Sequence, residues 1–374
     1  MDDTRQWCLN AKSMKKSSRQ TGSSRPTRMN ALQITRVLEV GPHHPPLDLV
    51  QLKVPEPGPG ELLIHVHACG ICHTELDEIE GRTPPPVLPM TPGHQVVGTV
   101  VAEGDGCRLE LLNRRVGIAW IHSACGECQW CIEGRENLCP DFRATGRDAP
   151  GGYAEFMVVD ESFAHVIPPA IGDLEATPLL CAGAVGFRAL DLCRLKNGER
   201  LGLTGFGASG HLVLQMARHL YPDSSVYVFA RSASEREFAL DLGATWAGDT
   251  TERPQHALDA IIDTTPAWLP VIEAMDALAP GGRLVINAIR KEADDRTRLS
   301  GLDYERHLWR EKSLSTVANV TRRDVRECLR LAACIPLKPH VTAYPLKEAN
   351  RALRELKQGG IRGAKVLRIS AGED

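Results

Sequence analysis

Apolar and polar positions in the second half of the chain alternate in the order of strands followed by helices. The stretch ERLGLTGFGASGHLVLQMARHL, residues 199–220, predicts a buried strand, a glycine turn and a helix. We expect a second strand at Ser225–Phe229 and a helix from about Ser234 to Leu242. ALDAIIDTT and GGRLVINAI predict further strands, with a helix at VIEAMDALA between them. This alternation predicts an α/β domain built on a doubly wound parallel sheet.

The C-terminal part of the chain predicts two more helices and one strand. The helices are expected in VRECLRLAACI and LKEANRALRELKQ, and the strand in AKVLRI. No apolar run approaches the roughly 20 residues that span a bilayer, so we expect no membrane partner.

Length and composition indicate a globular protein of two domains. The chain has 374 residues, of which 43% are hydrophobic and 24% charged, and this length allows two cores of ordinary size. The net charge of -3 and the lack of a basic face argue against a nucleic-acid partner.

Residues 1–28 differ from the rest, with scattered Lys and Arg, many Ser and no apolar centre. This composition lacks the hydrophobic segment of a secretory signal and favours a disordered N-terminal extension. An over-long start before a true Met29 is an alternative, and a transit peptide is another, which Asp2 and Asp3 disfavour. Twelve cysteines without a secretion signal indicate a reducing, cytoplasmic compartment, where clustered thiols more often bind metal than form disulfides.

The glycine turn has the spacing of a dinucleotide-binding fingerprint, Gly205-x-Gly207-x-x-Gly210. In such a turn the first glycine allows the tight bend, the second lets the backbone approach a pyrophosphate, and the third permits close helix packing. The helix N-terminus then offers free N–H groups to the phosphates. Flanking strand and helix make the match more specific than the glycines alone.

The end of the second strand bears on the choice of cofactor. An acidic residue there would bind the ribose 2′-OH of NAD, whereas this chain has Arg231 and Ser232. A guanidinium and a hydroxyl can bind a 2′-phosphate, so NADP(H) is favoured over NAD(H). The alternative is that Arg231 points into water.

Four cysteines are crowded into CGECQWCIEGRENLC, residues 125–139. Cys-x2-Cys steps allow a turn to point two thiolates at one ion, and four sulfurs fill the tetrahedron of a closed, structural zinc site. Two disulfides, unrelated thiols or a [4Fe–4S] cluster are the alternatives. The predicted zinc ligands are Cys125, Cys128, Cys131 and Cys139.

A second possible metal site combines three residues that lie far apart in the sequence. Cys72 in GICHTEL, His94 in TPGHQVVG and Cys181 in PLLCAGAVGFRAL would leave a fourth zinc position open, as in catalytic sites. A lone His or Cys is more often an ordinary core residue, and spacing alone does not decide between these interpretations.

With these patterns together, the chain resembles the zinc-containing medium-chain alcohol dehydrogenases from about Met29 to Ile369. GRENLCPDF, GGYAEFMV, PLLCAGAVGFRAL, GFGASGH and SVYVFARS are most similar to a bacterial branch near the cinnamyl alcohol dehydrogenases. The resemblance implies a barrel-like (GroES-like), β-rich catalytic domain at 29–181 and 320–374. It also implies an inserted Rossmann domain at 182–319, with the active site in the cleft between the two.

The resemblance also implies residue roles. Cys72, His94 and Cys181 become ligands of a catalytic zinc, which polarises a carbonyl or stabilises an alkoxide. Thr74 matches a hydroxyl that passes on the alcohol proton, although it could simply cap a turn. His73 matches a position near the cofactor phosphates, although it could be merely exposed.

Three residues depart from the family pattern. Glu75 stands where relatives usually have an Asp that orients the ligand histidine, and its extra methylene can shift the imidazole. Gln95 replaces a glutamate that can approach the metal. Asp77 occupies the position of a histidine that ends the proton relay in many relatives.

The expected function is that of a zinc-dependent oxidoreductase which transfers a hydride between NADP(H) and a primary alcohol/aldehyde pair, with two zinc ions per chain. The three departures leave a second hypothesis, an NADPH-binding protein of the same fold with little or no catalysis. A zinc-free quinone reductase is disfavoured by the ligand residues. Because SLSTVANV and the four-cysteine loop match contact regions of relatives, we expect a homo-oligomer, either a dimer or a tetramer.

Overall fold

The computed structural model describes residues 26–335, 337–359 and 363–370. Most of the expected N-terminal extension, residues 1–25, therefore lies outside the described part of the chain. Arg28, the last residue of that extension, already begins a strand.

Strands dominate the first part of the chain, helices and strands alternate in the middle, and two helices and two strands close it. The first part contains β1 (Arg28–Gln33), β2 (Asp48–Lys53), β3 (Glu61–Ile71), α1 (His73–Ile79), β4 (Val96–Glu103), β5 (Arg115–Ile118), β6 (Ile121–Ser123), α2 (Gln129–Ile132), β7 (Arg143–Ala144), β8 (Phe156–Asp160) and β9 (Ala164–Val166). The middle contains α3 (Asp173–Pro178), α4 (Ala184–Cys193), β10 (Arg200–Thr204), α5 (Gly210–Leu220), β11 (Ser225–Phe229), α6 (Ala233–Asp241), β12 (Trp246–Gly248), β13 (Leu258–Asp263), α7 (Leu269–Ala277), β14 (Leu278–Ile286) and β15 (Ser313–Thr316). The last part contains α8 (Arg322–Cys334), β16 (Val341–Pro345), α9 (Ala349–Gln358) and β17 (Ala364–Arg368). Two π-helical turns, Leu179–Gly183 and Tyr304–Leu308, and short 3-10 turns complete the fold.

A mixed sheet forms the β-rich half, with strand order β16-β17-β3-β4-β5-β9 and β8 paired to β3. Every pair except β16–β17 is antiparallel. Strand β3 is the centre of this half: β4 covers one edge, while β8 and β17 share the other. Because both edges are paired, nearly all of its residues are buried. This half has the β-rich character that the resemblance implies.

A six-stranded, wholly parallel sheet forms the other half, with order β12-β11-β10-β13-β14-β15. The order reverses between β10 and β13, and at such a switch point the carboxyl ends of the strands leave a crevice for a dinucleotide. Strand β11 covers the predicted residues, and α6 begins one residue earlier than predicted. The predicted α/β class with a Rossmann sheet is confirmed.

One continuous helical segment, Asp173–Cys193, joins the two halves; it comprises α3, a π turn and α4. It passes directly through the predicted domain boundary at residues 181/182, so the helical backbone is continuous there. By length and composition it is the one segment among the described residues that could cross a bilayer, but most of it is buried inside the protein. A core helix satisfies the same criteria, so the segment is weak evidence for a membrane.

Buried ion pairs fasten helix α8 to this junction. Arg188 on α4 donates to Asp324 at 2.8 Å, and Asp324 also closes a capping box with Thr321 at the start of α8. The Oε1 atom of Glu136, in the four-cysteine loop, accepts from the backbone N–H and the side chain of Arg322 at 2.7 and 2.9 Å. The four-cysteine loop is therefore anchored where the two halves meet.

A buried histidine makes the fold sensitive to acid. His165 on β9 is only 3% exposed. Burial, with smaller contributions from Arg326 and Arg322, lowers its pKa from 6.5 to about 3. Between pH 6.5 and about pH 3, the unfolded chain therefore binds a proton on this histidine that the folded protein does not bind. The free energy of unfolding consequently falls as the pH drops through this range.

We expect His165→Gln to reduce this acid sensitivity. Between pH 7 and pH 5, the buried imidazole of His165 lowers the free energy of unfolding of the wild type by about 2 kcal/mol, because one pKa unit corresponds to about 1.4 kcal/mol. The measurement is the free energy of unfolding by urea at pH 7, 6 and 5, with the exposed His256→Gln as the matched control. Equal pH dependence in the wild type and in His165→Gln would contradict the prediction.

Candidate functional site

The structure brings the three separate residues Cys72, His94 and Cys181 together. Their ligand atoms all lie within 4.8 Å of one another. His94 Nε2 lies 3.7 Å from the Sγ of Cys72 and 3.4 Å from the Sγ of Cys181. Tetrahedral zinc with bonds of about 2.3 Å to sulfur and 2.0 Å to nitrogen separates such atoms by about 3.6 Å. The trio therefore fits a zinc ion that has one further coordination position.

Different elements position each of the three side chains. Cys72 follows β3 and caps α1, with its sulfur accepting from the N–H of Thr74 at 3.4 Å. His94 lies in the loop before β4 and is 1% exposed. Cys181 lies within the π turn Leu179–Gly183, and this turn directly follows Pro178. Proline has no N–H to donate, which disturbs the regular helical hydrogen bonding. Such wide turns are frequent at functional sites because they re-aim one side chain.

Glu75 connects two of these residues from behind. One carboxylate oxygen accepts from the backbone N–H of Cys72 at 2.8 Å, which closes the capping box of α1. The other lies 2.7 Å from Nδ1 of His94. That contact is close, but among the described residues neither atom makes an aligned hydrogen bond. The longer Glu thus contacts the imidazole where an orienting Asp is expected, but without an aligned hydrogen bond.

The surroundings of the trio are rich in acidic groups. A hydrogen bond to Cys181, burial and the charge of Glu75 raise the pKa of the Cys72 thiol well above its ordinary value. Burial and Glu75 likewise raise the pKa of Glu78, which is 1% exposed. Because the site contains one histidine among so many acidic groups, a bound dication would offset their mutual repulsion.

The four-cysteine loop forms a second compact cluster, with all four sulfurs within 4.8 Å of one another. The Sγ of Cys125 lies 3.9 Å from that of Cys131 and 3.6 Å from that of Cys139. Tetrahedral zinc separates its sulfurs by about 3.8 Å, whereas a disulfide requires about 2.05 Å. The four cysteines of the loop form no disulfide. Hydrogen bonds from the backbone N–H groups of Cys128 and Glu127 lower the pKa of Cys125 to about 7, so the loop fits a closed metal site.

The three fingerprint glycines show the three expected environments between β10 and α5. Gly205 has φ +80°, and a Cβ there would lie 2.7 Å from Thr264 Oγ1. A Cβ on Gly210 would lie 2.7 Å from the carbonyl oxygen of Gly205, so only glycine permits this packing. A Cβ on Gly207 would meet nothing within 4 Å. Gly207 therefore borders open space. The second glycine of such a turn needs this space, because the pyrophosphate lies close to its backbone.

A hydrogen bond joins this glycine turn to the metal-ligand trio. Ser209, within the fingerprint, donates through Oγ to the carbonyl oxygen of Ala182 at 3.0 Å, and Ala182 directly follows Cys181. Ser209 Oγ also accepts from Asn287 after β14 at 3.2 Å. The glycine turn and the trio are therefore direct neighbours in the structure. Sequence reasoning missed Ser209, although its place between two fingerprint glycines is a possible signal.

Arg231 and Ser232 are exposed after β11, where a ribose would lie. Two further residues complete this corner. Ser234 Oγ lies 2.7 Å from Ser232 Oγ, and Arg236 bonds the carbonyl oxygens of Ala230 and Arg231 at 2.7 and 2.9 Å. The corner thus presents hydroxyls and guanidiniums without a carboxylate at the position expected for NAD.

The remaining sequence-predicted residues lie around the trio. Thr74 is buried in the first turn of α1, and His73 beside it is exposed. Gln95 packs closely against Gly70, where an added Cβ would lie 2.6 Å from its amide oxygen. Asp77 is held by two arginines, Arg82 and Arg290. The site assignments themselves stay predictions, which these positions support.

The fold and the site together define a zinc-binding medium-chain dehydrogenase. Residues 58–169 match the alcohol dehydrogenase GroES-like domain, and residues 240–367 match the zinc-binding dehydrogenase model. The chain is 42% identical over 348 residues to the probable alcohol dehydrogenase AdhA of Mycobacterium tuberculosis, covering 91% of this chain and 97% of that protein. It therefore belongs to the alcohol dehydrogenase family of oxidoreductases.

Solved structures agree with this assignment. A cinnamyl alcohol dehydrogenase from Sorghum bicolor has a TM-score of 0.78 at 25% identity, covering 91% of this chain and 97% of that one. A Helicobacter pylori protein named CAD, in complex with NADP(H), has a TM-score of 0.78 at 21% identity, covering 91% of this chain and 98% of that one. At that identity the second match indicates the fold alone.

We expect Glu75→Ala to weaken metal retention by about 10–100-fold, the usual effect of losing a partner of a ligand histidine. The change removes both the helix cap and the contact with His94. Glu75→Gln keeps a hydrogen-bond acceptor for the cap but removes the charge, so it separates the two contributions. The measurement is metal loss in competition with a chelator. Wild-type retention in both variants would show that Glu75 does not support the ligands.

Proposed function

We propose that this protein is a zinc-dependent oxidoreductase that transfers a hydride between NADP(H) and a primary alcohol/aldehyde pair. The observation that carries the proposal is the Ser209–Ala182 hydrogen bond, because it joins the metal-ligand trio to the glycine turn that would bind the dinucleotide. Hydride transfer requires this adjacency of cofactor and substrate sites. Aldehyde reduction is the proposed direction.

Each residue of the site has a distinct task in this proposal. Cys72, His94 and Cys181 hold zinc, which when bound supplies Lewis acidity to the substrate oxygen. Glu75 fixes the imidazole of His94 and, through the cap of α1, the backbone of Cys72. Thr74 is the hydroxyl placed to move the substrate proton. The four-cysteine loop holds a second, structural zinc and has no position left for substrate.

The cofactor preference rests on the corner after β11. Arg231, Ser232 and Ser234 offer donors to a 2′-phosphate, and Arg236 holds the backbone that presents them. His73 lies at the start of α1 and would contact the cofactor phosphates. These donors favour NADP(H) over NAD(H).

A homo-oligomer is part of the proposal, with cytoplasmic location. Strand β15 forms one edge of the parallel sheet and is exposed along all four of its residues. An exposed strand edge with unpaired backbone groups is a ready site for pairing.

We expect the purified protein to oxidise NADPH in the presence of small aliphatic or aromatic aldehydes, and to use NADH less well. Arg231→Gln should raise the KM for NADPH about tenfold and leave that for NADH nearly unchanged, because only NADPH carries the 2′-phosphate. Initial rates with both cofactors provide the test, with Arg253→Gln elsewhere in the Rossmann half as the control. NADPH binding without turnover across a broad panel would instead favour the non-catalytic alternative.

Elemental analysis should find two zinc ions per chain. Cys181→Ala should lower this number to one while the far-UV circular dichroism stays native, because the four-cysteine loop keeps its ion. Cys139→Ser should instead lower the melting temperature, since structural zinc contributes folding energy. Cys334→Ser, an exposed cysteine outside both clusters, serves as the control. One zinc in the fully loaded wild type would overturn the proposed catalytic site.

A further inference from the structure

Asp77 makes the ion pair that links the β-rich half to the loop after β14. Its Oδ2 atom accepts from Nε of Arg290 at 3.0 Å, and its Oδ1 atom accepts from Nε of Arg82. The side chain of Asp77 is 3% exposed, and those of Arg290 and Arg82 are 27% and 35% exposed. A carboxylate with both oxygens bonded to guanidiniums is poorly placed to accept a substrate proton.

The loop that carries Arg290 is anchored on both sides. Before it, the N–H of Asn287 donates to the carbonyl oxygen of Asp263 at 2.7 Å. After it, the ammonium of Lys291 bonds the Asp263 carboxylate and the carbonyl oxygens of Thr265 and Ala267. Arg290 therefore reaches across the cleft from a fixed base at the carboxyl ends of the parallel strands.

Asp77, in the β-rich half, is also held by a chain of ion pairs. Arg82 donates to Glu80 at 2.5 Å, and Glu80 accepts from Lys357 on α9 at 2.7 Å. Charges of alternating sign thus run from Lys357 through Glu80, Arg82 and Asp77 to Arg290. Such a connected network is stronger than an isolated surface pair.

We propose that Asp77 and Arg290 form an ionic clasp across the cleft, which holds the two halves together and slows the release of the nicotinamide cofactor. The proposal rests on the proposed function for its cofactor class. Asp77 is then a positioning residue in place of a relay terminus. The reason is geometric: a dinucleotide lies at the carboxyl ends of these strands, and its release requires the cleft to open.

The test compares Arg290→Gln, Asp77→Asn and the double variant with wild type, using Arg253→Gln as a control. Arg253 has 35% side-chain exposure and pairs with carboxylates, but only within the Rossmann half. The readouts are stopped-flow dissociation of NADPH and of NADH, followed by fluorescence, and hydrogen exchange of α1 in the cofactor-free protein. Neither of these two readouts requires turnover, so an inactive protein or a reversed cofactor preference does not affect them.

We expect each single variant to release cofactor about tenfold faster and to exchange faster in α1, with zinc content unchanged. Because the two residues act through one contact, cofactor dissociation and α1 exchange should be no faster in the double variant than in Asp77→Asn alone. The pH profile of kcat should keep its shape in both single variants. Unchanged dissociation, unchanged exchange or additive losses would overturn the clasp, and a pH profile altered in Asp77→Asn alone would restore the relay.

Discussion

The helical segment Asp173–Cys193 is the constraint on which the site depends. It belongs to both halves of the molecule, and its π turn carries Cys181 towards Cys72 and His94. The residue after Cys181 is bonded to the glycine turn through Ser209. A regular α-helix would rotate Cys181 away from this place, because each added residue turns the helix by about 100°. This one irregular turn therefore brings Cys181 close to Cys72 and His94 and also close to the glycine turn.

The residues that depart from the family pattern form a consistent set. Glu75 places one carboxylate oxygen beside His94 and the other on the backbone N–H of Cys72. Asp77, at a position where the resemblance implies a histidine in many relatives, is bonded to Arg82 and Arg290. Glu75 thus contacts both Cys72 and His94, whereas the Asp77 carboxylate is paired, among the described residues, only with arginines.

Local pattern predicted the local structure well. Strand β11 covers the predicted residues because its apolar run ends at a turn, and the glycine fingerprint predicted its own three environments, since they depend on backbone geometry nearby. The metal-ligand trio needed the family resemblance, because Cys181 is 109 residues from Cys72 in the printed sequence. The π turn and the Asp77–Arg290 contact were not predicted. The Asp77–Arg290 contact depends on side chains that meet only when the two halves are packed together. The π turn follows Pro178, but it leaves no distinct pattern of apolar positions in the sequence.

The attachment of the four-cysteine loop has a consequence for oxidative damage. Glu136 of that loop bonds the start of α8, and Asp324 on the same turn bonds Arg188 of the connecting helix. An oxidant that linked the loop thiols would therefore strain the bonds that hold α8 to the connecting helix, and that helix carries Cys181.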